Sequence, residues 1–215
     1  MSAFYPVNLR LEGRACLVVG GGAVAERKVK ALLAAGGRVT VMSPALSSSL
    51  AALATAGSIN HIAAAYQPGS MGDFFIVICA TDDAAANRQV AEEARGKGAL
   101  VNVVDAPELG DFIVPAHFAR GDLLITVSTG GKSPALARQL CEELKASYGP
   151  EYNLDLEMLS RLRSELKETL PSAKERGDFW RDVLSAEVLA LLTAGNTQEA
   201  EEKIRNAASR IGAKS

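Results

Sequence analysis

Little in this sequence suits metals, disulfides or membranes. Its 215 residues include three cysteines and two histidines. Cys16, Cys79 and Cys141 are far apart, with no CxxC spacing and no histidine nearby, which argues against a disulfide framework or a zinc site. His61 and His117 have no Cys, Asp or Glu at ligand spacing, so no metal-binding residue is assigned. No apolar run reaches the ~18 residues of a membrane span, and residues 1–14 lack a basic-then-apolar leader pattern. No membrane partner is expected, and the expected compartment is the cytoplasm. The 23 Lys and Arg nearly balance 25 Asp and Glu, and the net charge of -2 gives no general field for nucleic acid. Any anion must therefore meet a local patch.

What is present is an ordinary globular composition, 48% hydrophobic and 22% charged. Short β-rich apolar runs alternate with Ala-rich helical runs over 1–111, the pattern of a parallel sheet covered by helices. Strands are expected at 15–19, 38–42, 60–63, 74–80 and 100–104, with helices at 25–35, 45–56 and 83–95. A smaller α+β region, 112–149, has strand patterns at 112–114 and 123–128 and a helix after Ser133. Over 150–215 strand patterns disappear. Leu159, Leu162, Leu166 and Leu170 recur at helical spacing, giving a helical region broken near Pro171 and Gly195.

After the first strand comes Gly20-Gly21-Gly22-Ala23-Val24-Ala25, then a helix. This fits GxGxxA between strand and helix: Gly20 makes the tight turn, Gly22 lets a pyrophosphate approach the backbone, and Ala25 keeps the helix close to the strand. The helix start offers unpaired N–H groups to the diphosphate. A Rossmann-like doubly wound sheet follows. The second strand ends Val41-Met42-Ser43-Pro44 without the acid that usually holds the adenosine ribose, so Ser43, Pro44 and Ala45 are the natural replacements. No Arg or Lys directly follows that strand to meet a 2′-phosphate, which favours NAD over NADP. Gly21, Ala23, Val24 and Thr81 complete the expected cofactor contacts, while Asp82 and Asp83 start the next helix.

The fifth strand ends Asn102-Val103-Val104-Asp105-Ala106-Pro107, which puts an acid at the carboxyl edge of the sheet, where open α/β proteins bind ligands. Asp105 is the candidate catalytic base, partly desolvated beside a nicotinamide and an organic substrate. The other reading of Asp105 is an Asx turn before Pro107.

Ser128-Thr129-Gly130-Gly131-Lys132-Ser133-Pro134 contains a GKS triplet, but the first glycine of a phosphate loop would fall at Thr126, so ATP binding is not expected. Ser133 instead reads as an N-cap with Pro134 at the first helical position. Lys132 and Arg138, with Arg120 on the preceding loop, would form a positive patch for carboxylates; the alternative is a capped helix with solvated basic residues.

The segments LRLEGRACLVVGGGAVAERKVKALLAAGGRVTVMSP, ATDDAAANRQV, VNVVDAPELGDFIVPA and VSTGGKSPALARQL, in this order, resemble the precorrin-2 dehydrogenase family of siroheme biosynthesis. That family includes the N-terminal module of siroheme synthase. The resemblance implies NAD-dependent oxidation of precorrin-2 to sirohydrochlorin and, in some members, insertion of ferrous iron. It also implies a homodimer with an NAD-binding domain at 1–111, a dimerisation region at 112–149 and a helical domain at 150–215. Asp105 takes the place of the family's essential acid. Ser128, Thr129, Gly130, Lys132, Ser133 and Arg138 become candidate anchors for the substrate's carboxylates, and methylation is expected to be another protein's task. Two readings of other kinds compete: a dimeric NAD-sensing module without chemistry, and a dehydrogenase of another small acid.

Overall fold

Runs such as ACLVV at Ala15–Val19 and IVIC at Ile76–Cys79 are apolar throughout, as strands buried on both faces require. In the computed structural model, which describes residues 4–170 and 172–212, the chain divides into two compact units, with the boundary between Val114 and Pro115. The first unit runs β1 (Ala15–Val19), α1 (Ala23–Ala34), β2 (Arg38–Met42), α2 (Ser48–Thr55), β3 (Asn60–Ile62), β4 (Ile76–Cys79), α3 (Ala84–Gly96), β5 (Leu100–Val103) and a 3-10 turn at Pro107–Leu109. Its strands are parallel in the order β3-β2-β1-β4-β5, with Val18 paired to both Val41 and Ile78. This is the expected doubly wound, Rossmann-like sheet.

Alternation along β1 divides the core. Cys16 and Val18 pack with Ala25, Val29 and Leu32 of α1 and Leu50 of α2. Leu17 and Val19 pack with Val90, Ala91 and Ala94 of α3. The β3 to β4 connection contains no helix. One carboxylate ties it down instead: Glu93 of α3 accepts from Tyr66 Oη at 2.6 Å, Gly69 N at 2.8 Å and Met71 N at 3.3 Å. These bonds hold Glu93 below the usual carboxylate range.

The expected strand at 112–114 does not form. Phe112 packs on the α1-side core and its carbonyl accepts from Asn102 Nδ2 at 3.0 Å, so this stretch docks on β5. The strand comes later, after Pro115. In the second unit β6 (Ala116–Arg120) and β7 (Leu123–Val127) form an antiparallel hairpin. Its two-residue turn has Gly121 at φ +56°, where an added Cβ would run into Asn153 Oδ1. Helices α4 (Pro134–Ser147), α5 (Glu151–Thr169), α6 (Ala173–Val183), α7 (Ala186–Thr193) and α8 (Thr197–Gly212) follow. The leucine stripe is core: Leu162, Leu166 and Leu170 bury with Phe179, Val183, Leu192 and Ile204. Pro171, one expected break, lies outside the described residues, while Gly195 has φ +75° just past α7. No helix among the described residues is long and apolar enough to cross a membrane.

Candidate active site

Three β-to-α turns and one loop meet at the carboxyl edge of the parallel sheet, on either side of the point where the strand order reverses between β1 and β4. The glycine turn comes first. Gly20 has φ +124°, and a Cβ there would run into Ala80 O at the end of β4. A Cβ on Gly21 would overlap Ala45 O and approach Ser43 Oγ at 2.7 Å, so this glycine is enclosed by the β2–α2 turn. Gly22 differs: it is the N-cap of α1 with no side-chain cap, and a Cβ there meets nothing within 4 Å. The first-turn N–H groups of α1 lack helical acceptors by geometry and face this open space. Ala25 is fully buried against the sheet. An open backbone at an uncapped helix start fits a dinucleotide's diphosphate.

After β2, Ser43 is buried, and its hydroxyl donates to Ala45 O at 2.7 Å. Its backbone is held on both sides, since Ser43 N donates to Ile62 O at 3.1 Å and His61 Nε2 lies 3.0 Å from Ser43 O. Pro44 and Ala45 are exposed at the edge. Ser43 therefore shapes the turn, and Pro44 and Ala45 present it to a ligand. An acid missed in the sequence stands nearby. Glu26, in the first turn of α1, accepts from Ser47 Oγ at 2.9 Å, and Ser47 N donates to Gly21 O at 2.8 Å. Bonds from Lys30, Ser47 and Ser49 bring the Glu26 carboxyl down to about 2. It stays charged beside the β2–α2 turn.

After β4, Thr81 is half-buried and gripped by Asn87, which the sequence reading also missed. Thr81 Oγ1 donates to Asn87 Oδ1 at 2.7 Å, and Asn87 Nδ2 donates to Thr81 O at 2.9 Å. Asp83 caps α3 through Ala85 N and Ala86 N, as expected of a helix-starting acid. Cys79, buried at the end of β4, has its thiol pushed up to about 12 by burial, so it is no nucleophile at neutral pH.

Asp105 lies two residues beyond β5, exposed at the same edge. Its carboxylate makes no hydrogen bond or ion pair with the described residues, so the Asx turn before Pro107 is not formed. The backbone around it is held firmly. Val104 N donates to Cys79 O at 3.1 Å, Val104 packs on the α1-side core, and Ala106 packs on the α3-side core.

In the second unit Ser133 caps α4 as expected, accepting from Leu136 N at 3.3 Å with Pro134 in the first turn. Gly130 and Gly131 have φ +62° and +82°. Thr129 Oγ1 closes the loop by accepting from Ser133 N at 3.1 Å and donating to Ser133 O at 3.0 Å, while Ser128 Oγ accepts from Gly130 N at 3.2 Å. Lys132 and Arg138 are exposed, and Arg138 Nε bonds Pro134 O at 3.3 Å. Arg120 does not join this patch: it lies at the end of β6, and its guanidinium bonds Tyr148 O at 3.2 Å and Lys145 O at 3.5 Å, at the far end of α4. Helix C-terminal carbonyls attract a cation, and they take this one.

A family model described as "Putative NAD(P)-binding" matches residues 7–116, just over half of the chain, and "Sirohaem biosynthesis protein central" and "Sirohaem synthase dimerisation region" match 120–147 and 156–207. The chain belongs to this family of putative NAD(P)-binding proteins, and its two further matches are to regions of sirohaem-biosynthesis proteins. Siroheme synthase of Methylobacillus flagellatus is 38% identical over 207 residues, 96% of this chain and 44% of that protein. Siroheme synthase 1 of Aeromonas salmonicida is 41% identical over 186 residues, 86% and 40% respectively. The chain spans about two-fifths of the length of the curated relatives it matches. The solved structure of SirC, a precorrin-2 dehydrogenase, superposes with a TM-score of 0.75 at 26% identity, covering 94% of this chain and 100% of that one. The dimerisation-region match lies on α5 to α8.

Proposed function

We propose that the chain is an NAD-dependent precorrin-2 dehydrogenase that oxidises precorrin-2 to sirohydrochlorin. The observation that carries this reading is Asp105, a carboxylate without a partner among the described residues on a fixed backbone, at the sheet edge that also bears the open Gly22 cradle. Bound NAD supplies the hydride acceptor. Gly20, Gly21, Gly22, Ala23 and Val24 hold its diphosphate; Ser43, Pro44, Ala45 and Thr81 border the rest of the dinucleotide. Oxidation removes a hydride and a proton from the macrocycle, and Asp105 accepts that proton. With Glu26 charged beside the β2–α2 turn and no Arg or Lys following β2, NAD is favoured over its 2′-phosphate.

Precorrin-2 is rich in carboxylates. We assign their recognition to Ser128, Thr129, Gly130, Lys132, Ser133 and Arg138, where a glycine-opened helix start and two exposed cations provide donors. The proposed working state is a cytoplasmic homodimer with cofactor binding by 1–111. Pairing involves 112–149 and the helical segment 150–215, the latter supported by the dimerisation-region match at 156–207.

The test is anaerobic conversion of enzymatically made precorrin-2 with NAD, followed by absorbance, for wild type and Asp105→Ala. Wild-type turnover and a loss of about 10²–10⁴-fold in a folded variant that still binds NAD are expected. Absence of wild-type turnover despite saturable NAD binding would overturn the proposal in favour of a sensor. Ferrous iron added to the finished reaction tests it as a second substrate: siroheme formed faster than without protein supports chelation, and equal rates refute it.

A further inference from the structure

We propose that Asp111 is a positioning residue for Asp105, holding the loop that presents it by stapling that loop back onto its own strand. The inference rests on Asp105 being the acid of the proposed reaction. β5 is an edge strand, so one side of its backbone faces no other strand. The chain leaves β5, passes Asp105 and then the 3-10 turn at Pro107–Leu109, and returns to that free side. There Asp111 N donates to Val101 O at 2.8 Å. The carboxylate completes the clasp: Asp111 Oδ2 accepts from Val101 N at 3.0 Å and Oδ1 meets Arg95 Nε at 3.4 Å. Arg95 Nη2 also donates to Leu109 O at 2.7 Å, inside the same loop.

Two further features show how closely the loop is drawn in. At Gly110 an added Cβ would lie 3.0 Å from Val101 O and 3.3 Å from Val103 N. Asn102, 4% exposed, gives its Nδ2 to Phe112 O at 3.0 Å although its Oδ1 is left without a partner among the described residues. A covering for the strand edge needs only backbone pairing. Here both oxygens of an acid, an arginine from α3 and a buried amide converge on one base. Seven residues, 104–110, span the resulting loop, and Asp105 sits one residue past the last ladder bond at Val104. Releasing the base would let the carboxylate wander while leaving the glycine turn of β1 untouched, because the two turns share no hydrogen bond.

A four-protein cycle tests this: wild type, Asp111→Ala, Asp105→Asn and the double variant, each assayed for kcat, KM, NAD affinity and Tm. Asp111→Ala is expected to lower kcat by about ten- to a hundredfold, the scale of a misplaced catalytic group, with NAD affinity changed less than about twofold. In the Asp105→Asn background the same substitution is expected to change kcat by less than about twofold, since residues that act as a unit are not additive. Asp111→Asn keeps an oxygen for Val101 N and is expected to recover part of the rate, which separates positioning from misfolding. If Asp105→Asn has no measurable rate, the decision falls to Asp111→Asn at unchanged Tm: a lowered kcat supports the proposal and a full kcat overturns it. Equal losses in both backgrounds, or lowered Tm with full kcat in both Asp111 variants, also overturn it. An Asp105→Asn enzyme as fast as wild type would instead remove the reading on which it rests.

Discussion

The two units organise their polar groups in opposite ways. In the first, the turns at the sheet edge are shaped by glycine or tied by polar side chains onto backbone: Ser43 onto Ala45 O, Asn87 onto Thr81 O, Asp111 onto Val101 N. In the second, leucines on α5 bury against α6, α7 and α8, and charge pairs lie outside, as where Arg205 joins Glu165 at 2.7 Å and Glu201 at 2.8 Å. A groove of backbone tolerates almost no change of shape, whereas an amphipathic interior tolerates exchange of similar volumes. The first arrangement suits a site that must place a cofactor, the second a scaffold.

The sharpest test of that contrast uses two neighbouring glycines. Gly21→Ala forces a methyl group into Ala45 O, which is backbone and cannot step aside, so destabilisation of about 3 kcal/mol or more and loss of NAD binding are expected. Gly22→Ala meets no atom within 4 Å and has ordinary φ, so the fold is expected to be kept. Its methyl occupies the space assigned to the diphosphate, and NAD affinity should fall at least about tenfold, a loss of roughly 1.4 kcal/mol. Thermal melts and NAD titration of both proteins check this. Unchanged NAD affinity in Gly22→Ala would remove the cofactor from this turn.

The same contrast explains what could be read from the sequence. β1 is a uniformly apolar run between Gly13 and Gly20, and β2, Arg-Val-Thr-Val-Met, lies between Gly37 and Ser43-Pro44, so glycine and proline mark their limits. β6 reads Ala-His-Phe-Ala-Arg and has one large apolar side chain, Phe118, so its alternation is faint; the more apolar stretch at 112–114 has the stronger strand pattern, although Phe112 is committed to the sheet core. Gly20 and Asp105 were legible because backbone conformation and strand position single them out. The locks were not. Glu26 to Ser47 spans 21 residues and Val101 to Asp111 spans 10, separations that follow no helical or strand period. The place of Arg120 is hidden for the same reason, its partners lying 25 and 28 residues away.

A smaller effect follows from one acid in each unit, the half-buried Glu26 and the buried Asp155, and the signs differ. The Glu26 carboxyl is lowered from 4.5 to about 2, so the unfolded chain binds its proton first as pH falls. Its stabilising contribution is present above about 4.5 and disappears as pH drops towards about 2. Asp155, on α5 of the second unit, is 2% exposed; Thr197 Oγ1 donates to its Oδ1 at 2.8 Å, and Oδ2 has no partner among the described residues. Burial, with Glu151 nearby, raises its carboxyl above 3.8, so the folded chain keeps a proton that the unfolded chain has lost. Stability therefore falls as pH rises from 3.8 through that raised value. Asp155→Asn keeps the acceptor for Thr197 and has no charge to bury. It should match wild type at pH 3 and melt higher at pH 7, by a few degrees at most, while Glu26→Gln should lose stability at pH 7 and match wild type near pH 2. Melting curves across this range decide it: parallel curves for wild type and Asp155→Asn would mean that the acid in the helical unit is as well solvated as a surface residue, and the contrast between the units would not extend to their charges.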